Sequence, residues 1–166
     1  MRIESFAGRG PAFVPEDYFA GETRAWGIFE DRFGQLRRDF QVAIEGRWDG
    51  RMLTLDERFS FSDGERDRRV WRLTRQAEGR YLAACDEVEG EVPVRVAGNA
   101  LNFTYRIALS IGGRKVRVRF DDWMFLLPGG VLVNRARVYK AGLRLGEASI
   151  FFARPEPEAD RRVAAA

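Results

Sequence analysis

The chain has 166 residues, 45% apolar and 32% charged, the balance of one globular domain rather than of a disordered or membrane-spanning chain. It contains no histidine and a single cysteine, Cys85, which excludes histidine-based catalytic triads, His-ligated metals and haem, internal disulfides and cysteine clusters. Its 26 Arg and 2 Lys meet 25 acids for a net charge of +3, and the two signs are interleaved, as in Glu65-Arg66-Asp67-Arg68-Arg69. This pattern predicts solvated, mutually paired faces and no nucleic-acid partner.

Residues 1–17 carry Gly8, Gly10, Pro11 and Pro15 but no apolar run, so an irregular N-terminal segment without a secretory signal is expected, with room for a short helix only near Pro15–Phe19. No stretch approaches the roughly 18 apolar residues of a membrane span. As written, the chain reads as a cytoplasmic protein of a reducing compartment. From residue 18 to 154, turn signals recur at Phe33-Gly34, Asp49-Gly50, Asp63-Gly64, Glu78-Gly79, Glu89-Gly90, Gly98-Asn99, Gly112-Gly113, Gly129-Gly130 and Ala141-Gly142. The segments between them alternate. Val42, Ile44 and Trp48 oppose Gln41, Glu45 and Arg47; Leu53, Leu55, Phe59 and Phe61 oppose Thr54, Asp56 and Arg58; Leu101, Phe103, Tyr105, Ile107 and Leu109 share a third apolar face. Period-2 alternation between nine turns predicts about ten antiparallel strands with one wet face. An open sheet of that size would leave two bare edges, and the short loops favour a meander over a Greek-key sandwich. The expected fold is therefore an all-β, antiparallel up-and-down barrel over residues 18–154. The last residues, 155–166, lack a core pattern and are expected to be disordered.

Several of these segments carry a resemblance. Trp26-Gly27-Ile28-Phe29, Glu45-Gly46-Arg47-Trp48-Asp49-Gly50, Leu53-Thr54-Leu55-Asp56-Glu57, Arg69-Val70-Trp71-Arg72-Leu73, Gly98-Asn99-Ala100-Leu101, Arg119-Phe120-Asp121-Asp122-Trp123-Met124 and Val133-Asn134-Arg135-Ala136 follow one another in an order that resembles a bacterial domain-of-unknown-function family, number thirty-eight thirty-three, over about residues 18–153. The resemblance implies a lipocalin-like, calycin-type barrel and brings no catalytic residues with it. Many members of that family begin as envelope lipoproteins; this chain, with no lipid-anchor cysteine near its start, departs from that pattern.

Polar residues on otherwise apolar faces are the functional candidates. Arg69 is in phase with Trp71 and Leu73, Glu57 lies between Leu55 and Phe59, and Tyr105 shares the face of Phe103 and Ile107. Such charges either neutralise one another or are held for a ligand, since desolvating an ion costs several kcal/mol. Arg135, Arg137 and Tyr139 share a face with Val131 and Val133 and would present a fork of donors to a carboxylate or phosphate; the competing reading places Leu132, Ala136 and Val138 inside and these arginines in solvent. Asp122, in phase with Val118, Phe120 and Met124, reads as an inward acid bonded to backbone or to Arg119 or Arg135, or as an acid–base group with a raised pKa. Asp121 points the other way. Glu147 follows Leu143 and Leu145 in alternation. Trp26, Trp48, Trp71 and Trp123 read as core, and Cys85 as a buried small hydrophobe.

The function these residues imply is binding of a small hydrophobic or amphipathic, anionic, lipid-like ligand, with no cofactor or metal. A barrel packed solid for structure or interaction, and an enzyme acting on a lipid-like substrate through an inward carboxylate, are the alternatives.

Overall fold

The structure, a computed structural model, describes residues 1–111 and 114–155. A 3-10 turn at Ile3–Phe6 and a helix α1 at Pro15–Phe19 precede ten strands: β1 Gly21–Asp31, β2 Leu36–Trp48, β3 Met52–Phe61, β4 Arg66–Ala77, β5 Arg80–Ala84, β6 Val92–Ala97, β7 Ala100–Ile111, β8 Arg114–Leu126, β9 Leu132–Lys140 and β10 Leu143–Ala153. Each strand pairs antiparallel with its sequence neighbours, and β10 returns to β1, closing the sheet into an up-and-down barrel of ten strands. Every turn signal within the described residues falls between strands; Gly112-Gly113 and the tail beyond Pro155 lie outside them. The β9–β10 connection shows why those residue pairs are needed: Ala141 and Gly142 both have positive φ, 47° and 81°, the geometry of a hairpin turn whose twist matches its strands.

Alternation along the strands creates an inner apolar face of Val42, Ile44, Leu53, Leu55, Trp71, Leu73, Leu101, Ile107, Val118 and Leu132. The outer face carries the interleaved charges, paired as their sequence predicts: Arg68 with Asp56 at 2.9 Å, Arg47 with Glu45 at 2.6 Å and Arg137 with Glu147 at 3.0 Å. Exposed pairs of this kind add little stability and mainly keep the wall wet.

One end of the barrel is plugged by α1. Phe19 packs edge-on against Phe152, with ring centroids 5.8 Å apart, and the Tyr18 hydroxyl donates to the Phe152 and Gly130 carbonyls. The buried Glu16 carboxylate accepts from the Tyr81 hydroxyl at 2.6 Å and from Arg75 at 3.1 Å. Gly46 makes this approach feasible, because a Cβ there would stand 1.7 Å from the Phe19 carbonyl oxygen. The preceding 3-10 turn lies on the outside of the wall, where Ile3 and Phe6 cover Trp123, Ala100 and Phe125. Trp123 is thus buried outside the barrel rather than within it. Trp26 differs more: it is 45% exposed on the outer face beside its strand partner Phe151. Its parity follows Arg24 and Ile28, while Thr23, Ala25 and Gly27 turn inward.

At the other end the hairpins are open. Here β5 and β6 are short. Pairing of β4 with β5 begins at Arg72, so on that side Arg66–Val70 forms no ladder among the described residues. The segment between β5 and β6 instead follows β7, through a bridge from Val88 to Ile107 and a bond from Glu89 N to Arg106 O. A lateral seam remains between the first half of β4 and this segment, and the charges of Arg66, Asp67 and Arg68 guard the bare strand edge against pairing with another chain.

Candidate functional site

The open half of the barrel is lined by aromatic side chains. Phe40, Phe59 and Phe61 form one cluster, with centroids 5.6–6.0 Å apart. Trp71 reaches from β4 to meet Phe103 and Tyr105 of β7 edge-on, and Tyr105 stacks on Phe120 at 5.3 Å. Phe40, Phe59, Phe103 and Phe120 face inward yet remain only half-buried. Inward side chains of a closed barrel can keep such exposure only at its open end or along the lateral seam, so water reaches part of this aromatic lining. A cleft of about 280 Å³ also opens in the wall beside the start of β6, between Val92, Thr104 and Arg119, and extends to Tyr105.

Into this lining project five polar groups from five strands. Glu57 on β3 and Arg69 on β4 are direct cross-strand partners on the inner face. The Arg69 guanidinium lies over the Phe59 ring at 4.8 Å and donates to Asp67 at 2.9 Å, closer to the rim. Tyr105 on β7 and Asp122 on β8 complete the cluster with Asn134 on β9. Asn134 is 1% exposed, and its amide donates to Asp122 Oδ1 at 2.8 Å and to the Trp123 carbonyl. Asp122 is 4% exposed. Its other oxygen, Oδ2, has no hydrogen-bond partner among the described residues. The Tyr105 phenol is near enough to favour the ionised carboxylate without bonding it in normal geometry.

The electrostatics follow from burial. Desolvation pushes the Glu57 carboxyl up to about 7 against the pull of Arg69, and the Asp122 and Asp67 charges add to the rise. Desolvation likewise raises Asp122 to about 6, while Asn134, Tyr105 and Arg69 favour its charged form. The Tyr105 phenol is held well above its usual range by the same burial and by Asp122. Cys85 bonds Glu87 at 2.9 Å and is pushed up to about 12 by burial, which leaves it an unreactive thiol. The site therefore holds one permanent cation, two acids that exchange protons near neutral pH, and one buried acceptor without a donor. Such groups can bind a charged head group and pass a proton to or from it. No cluster of acidic and cysteine side chains suited to a metal ion occurs among the described residues.

The structure thus brings Glu57, Arg69, Trp71, Tyr105 and Asp122 together. The fork of Arg135, Arg137 and Tyr139 is a correction: these side chains alternate with the buried Leu132, Asn134, Ala136 and Val138 and lie on the outer face. Arg137 pairs there with Glu147, and the Tyr139 ring sits under Arg119 at 4.5 Å. Val131 precedes the strand, so its apolar character says nothing of the inner face. Glu147 is outside as well, held by Arg137 and Arg144. Asn134 does not stand out in the sequence; its one signal is its phase with Leu132, Ala136 and Val138, which competes with Val131 and Val133 on the other phase.

Comparison with known proteins agrees with this architecture. The profile of the family described as "Protein of unknown function (DUF3833)" matches residues 1–154, so its span includes the plug segment as well as the barrel. An S-type phycobiliprotein lyase from Guillardia theta superposes with a TM-score of 0.62 at 12% identity, over 95% of this chain and 100% of the other. A protein of unknown function from the DUF3598 family of Nostoc punctiforme superposes with a TM-score of 0.60 at 16% identity, over 90% of this chain; the chain spans 53% of that protein. At such identities the likeness is one of fold. No curated protein matches the sequence. The chain belongs to the DUF3833 family.

Proposed function

We propose that this member of the DUF3833 family binds a small amphipathic molecule in its lumen, with an apolar body against the aromatic lining and an anionic head group at Arg69. The observation that supports this most is Arg69 itself: a guanidinium on the inner face of the barrel, its side chain 17% exposed, set among aromatic rings that water still reaches. The facing Glu57, its carboxyl pushed up to about 7 by burial, cancels only part of that charge. Once protonated it becomes a donor to the same head group. A fatty-acid-like carboxylate meets these requirements, with aliphatic carbons buried against Phe59, Trp71, Phe103 and Phe120 at about 25 cal/mol per Å². The half-buried aromatics offer an apolar body a wet surface to cover at the open end.

A fluorescent long-chain carboxylate titrated into the purified protein tests the reading. Saturable binding should weaken by about tenfold or more in Arg69→Met, because loss of a charge-assisted pair costs about 1.5–3 kcal/mol. The double variant Arg135→Gln with Arg137→Gln should bind as the parent does. Undiminished binding by Arg69→Met, or loss in the outer pair, would overturn the assignment.

A further inference from the structure

The rim around the open mouth is unusually apolar at two neighbouring points. Phe33 in the β1–β2 connection is 72% exposed and Leu36, the first residue of β2, 60%; at the β9–β10 tip Leu143 is 63% exposed. These are not distant loops, because β1 and β10 are paired and the Arg32 amide donates to the Leu145 carbonyl at 2.9 Å. Hairpin tips ordinarily carry small polar residues. Large apolar groups there have no role in the core, and they protrude rather than line a groove.

Cations accompany them. Arg32 and Lys140 form no ion pair among the described residues, and the Arg32 guanidinium lies over the Phe33 ring at 4.6 Å. Arg37 and Arg144 stand just behind, paired with Asp31 and Glu147. Protruding apolar side chains flanked by the unpaired Arg32 and Lys140, with Asp31 and Glu147 taken up by Arg37 and Arg144 and Glu30 behind them on β1, match a surface that is apolar within and anionic at its boundary: side chains enter the acyl region while Arg and Lys remain at head-group level.

We propose that the joined β1–β2 and β9–β10 tips dock the barrel, mouth first, on an anionic lipid surface. This rests on the rim alone and stands whether or not the lumen binds a ligand. Co-sedimentation with vesicles of phosphatidylcholine mixed with phosphatidylglycerol, against vesicles of phosphatidylcholine alone, decides it. The intact protein should partition to the mixed vesicles and leave them as salt rises. Phe33→Ser with Leu143→Ser, and separately Arg32→Gln with Lys140→Gln, should each lose about tenfold or more of that partitioning. All four positions are outside the core, so melting temperatures should hold. Trp26→Ser with Phe151→Ser, on the side wall, should bind as the parent does. Absence of binding to mixed vesicles, equal binding to both vesicle types, retention by both tip variants, or loss only in the side-wall variant would overturn the proposal. So would a parent protein that is dimeric in solution and becomes monomeric in the tip variants, since the occupant would then be another copy.

Discussion

Glu57 and Asp122 keep their protons to unusually high pH because the barrel surrounds them while only Arg69, Tyr105 and Asn134 speak for the charged form. An anion placed at Arg69 would add a like charge beside both acids and raise them further, so binding would take up a proton. The sign is then fixed: affinity for an anion should fall as pH rises through 6 and past 7, where the two acids ionise. A sulfonated naphthalene probe, charged throughout this window, should bind up to about tenfold more tightly at the acid end, and Glu57→Gln should flatten the dependence. A flat profile in the parent would show that the acids do not sense the bound head group. Most of this cluster was legible in the sequence, because Glu57, Arg69, Tyr105 and Asp122 each have large apolar residues two positions away. The strand of Arg135 was not. Val131 and Val133 precede one phase and Leu132, Ala136 and Val138 the other, and only the position of the Gly129-Gly130 turn and the pairing with β8 decide between them.

Among the elements, α1 has five residues and would not survive alone in water. It is held by burial of Phe19, by the Tyr18 hydroxyl and by the Glu16 contact with Tyr81 and Arg75. The close passage over Gly46 leaves no slack. Gly46→Ala should therefore displace the plug and cost about 3 kcal/mol in urea unfolding, whereas alanine at the open turn residue Gly10, with nothing near its Cβ position, should cost far less. Equal midpoints for the two variants would remove the plug from the stability of the barrel. Strand number was readable because Gly-containing pairs demand backbone that few other residues adopt. The helix itself was within reach of the sequence, through Pro15 at its start, but its destination was not. Nor was the covering of Trp123 by Ile3 and Phe6, since a segment without periodicity gives no sign of which surface it will meet.

At the scale of the whole molecule, closure separates two kinds of tryptophan. Trp71 is enclosed, while Trp26 looks outward. Acrylamide should quench a distinct fraction of the emission readily, and Trp26→Phe should abolish that fraction with little change in stability, within about 0.5 kcal/mol. Uniform quenching in both proteins would contradict the outward placement. Closure also has a temporal side. The second neighbour of β1 is β10, with Arg24 against Ala153, so a chain emerging from the ribosome carries a first strand whose mate is made last. Until then the nine earlier strands form a ribbon with two unsatisfied margins, exposed to whatever chaperone or sister polypeptide is at hand. Contacts of such sequence separation slow folding, and premature stops before β10 should give products that clump rather than products that merely work less well.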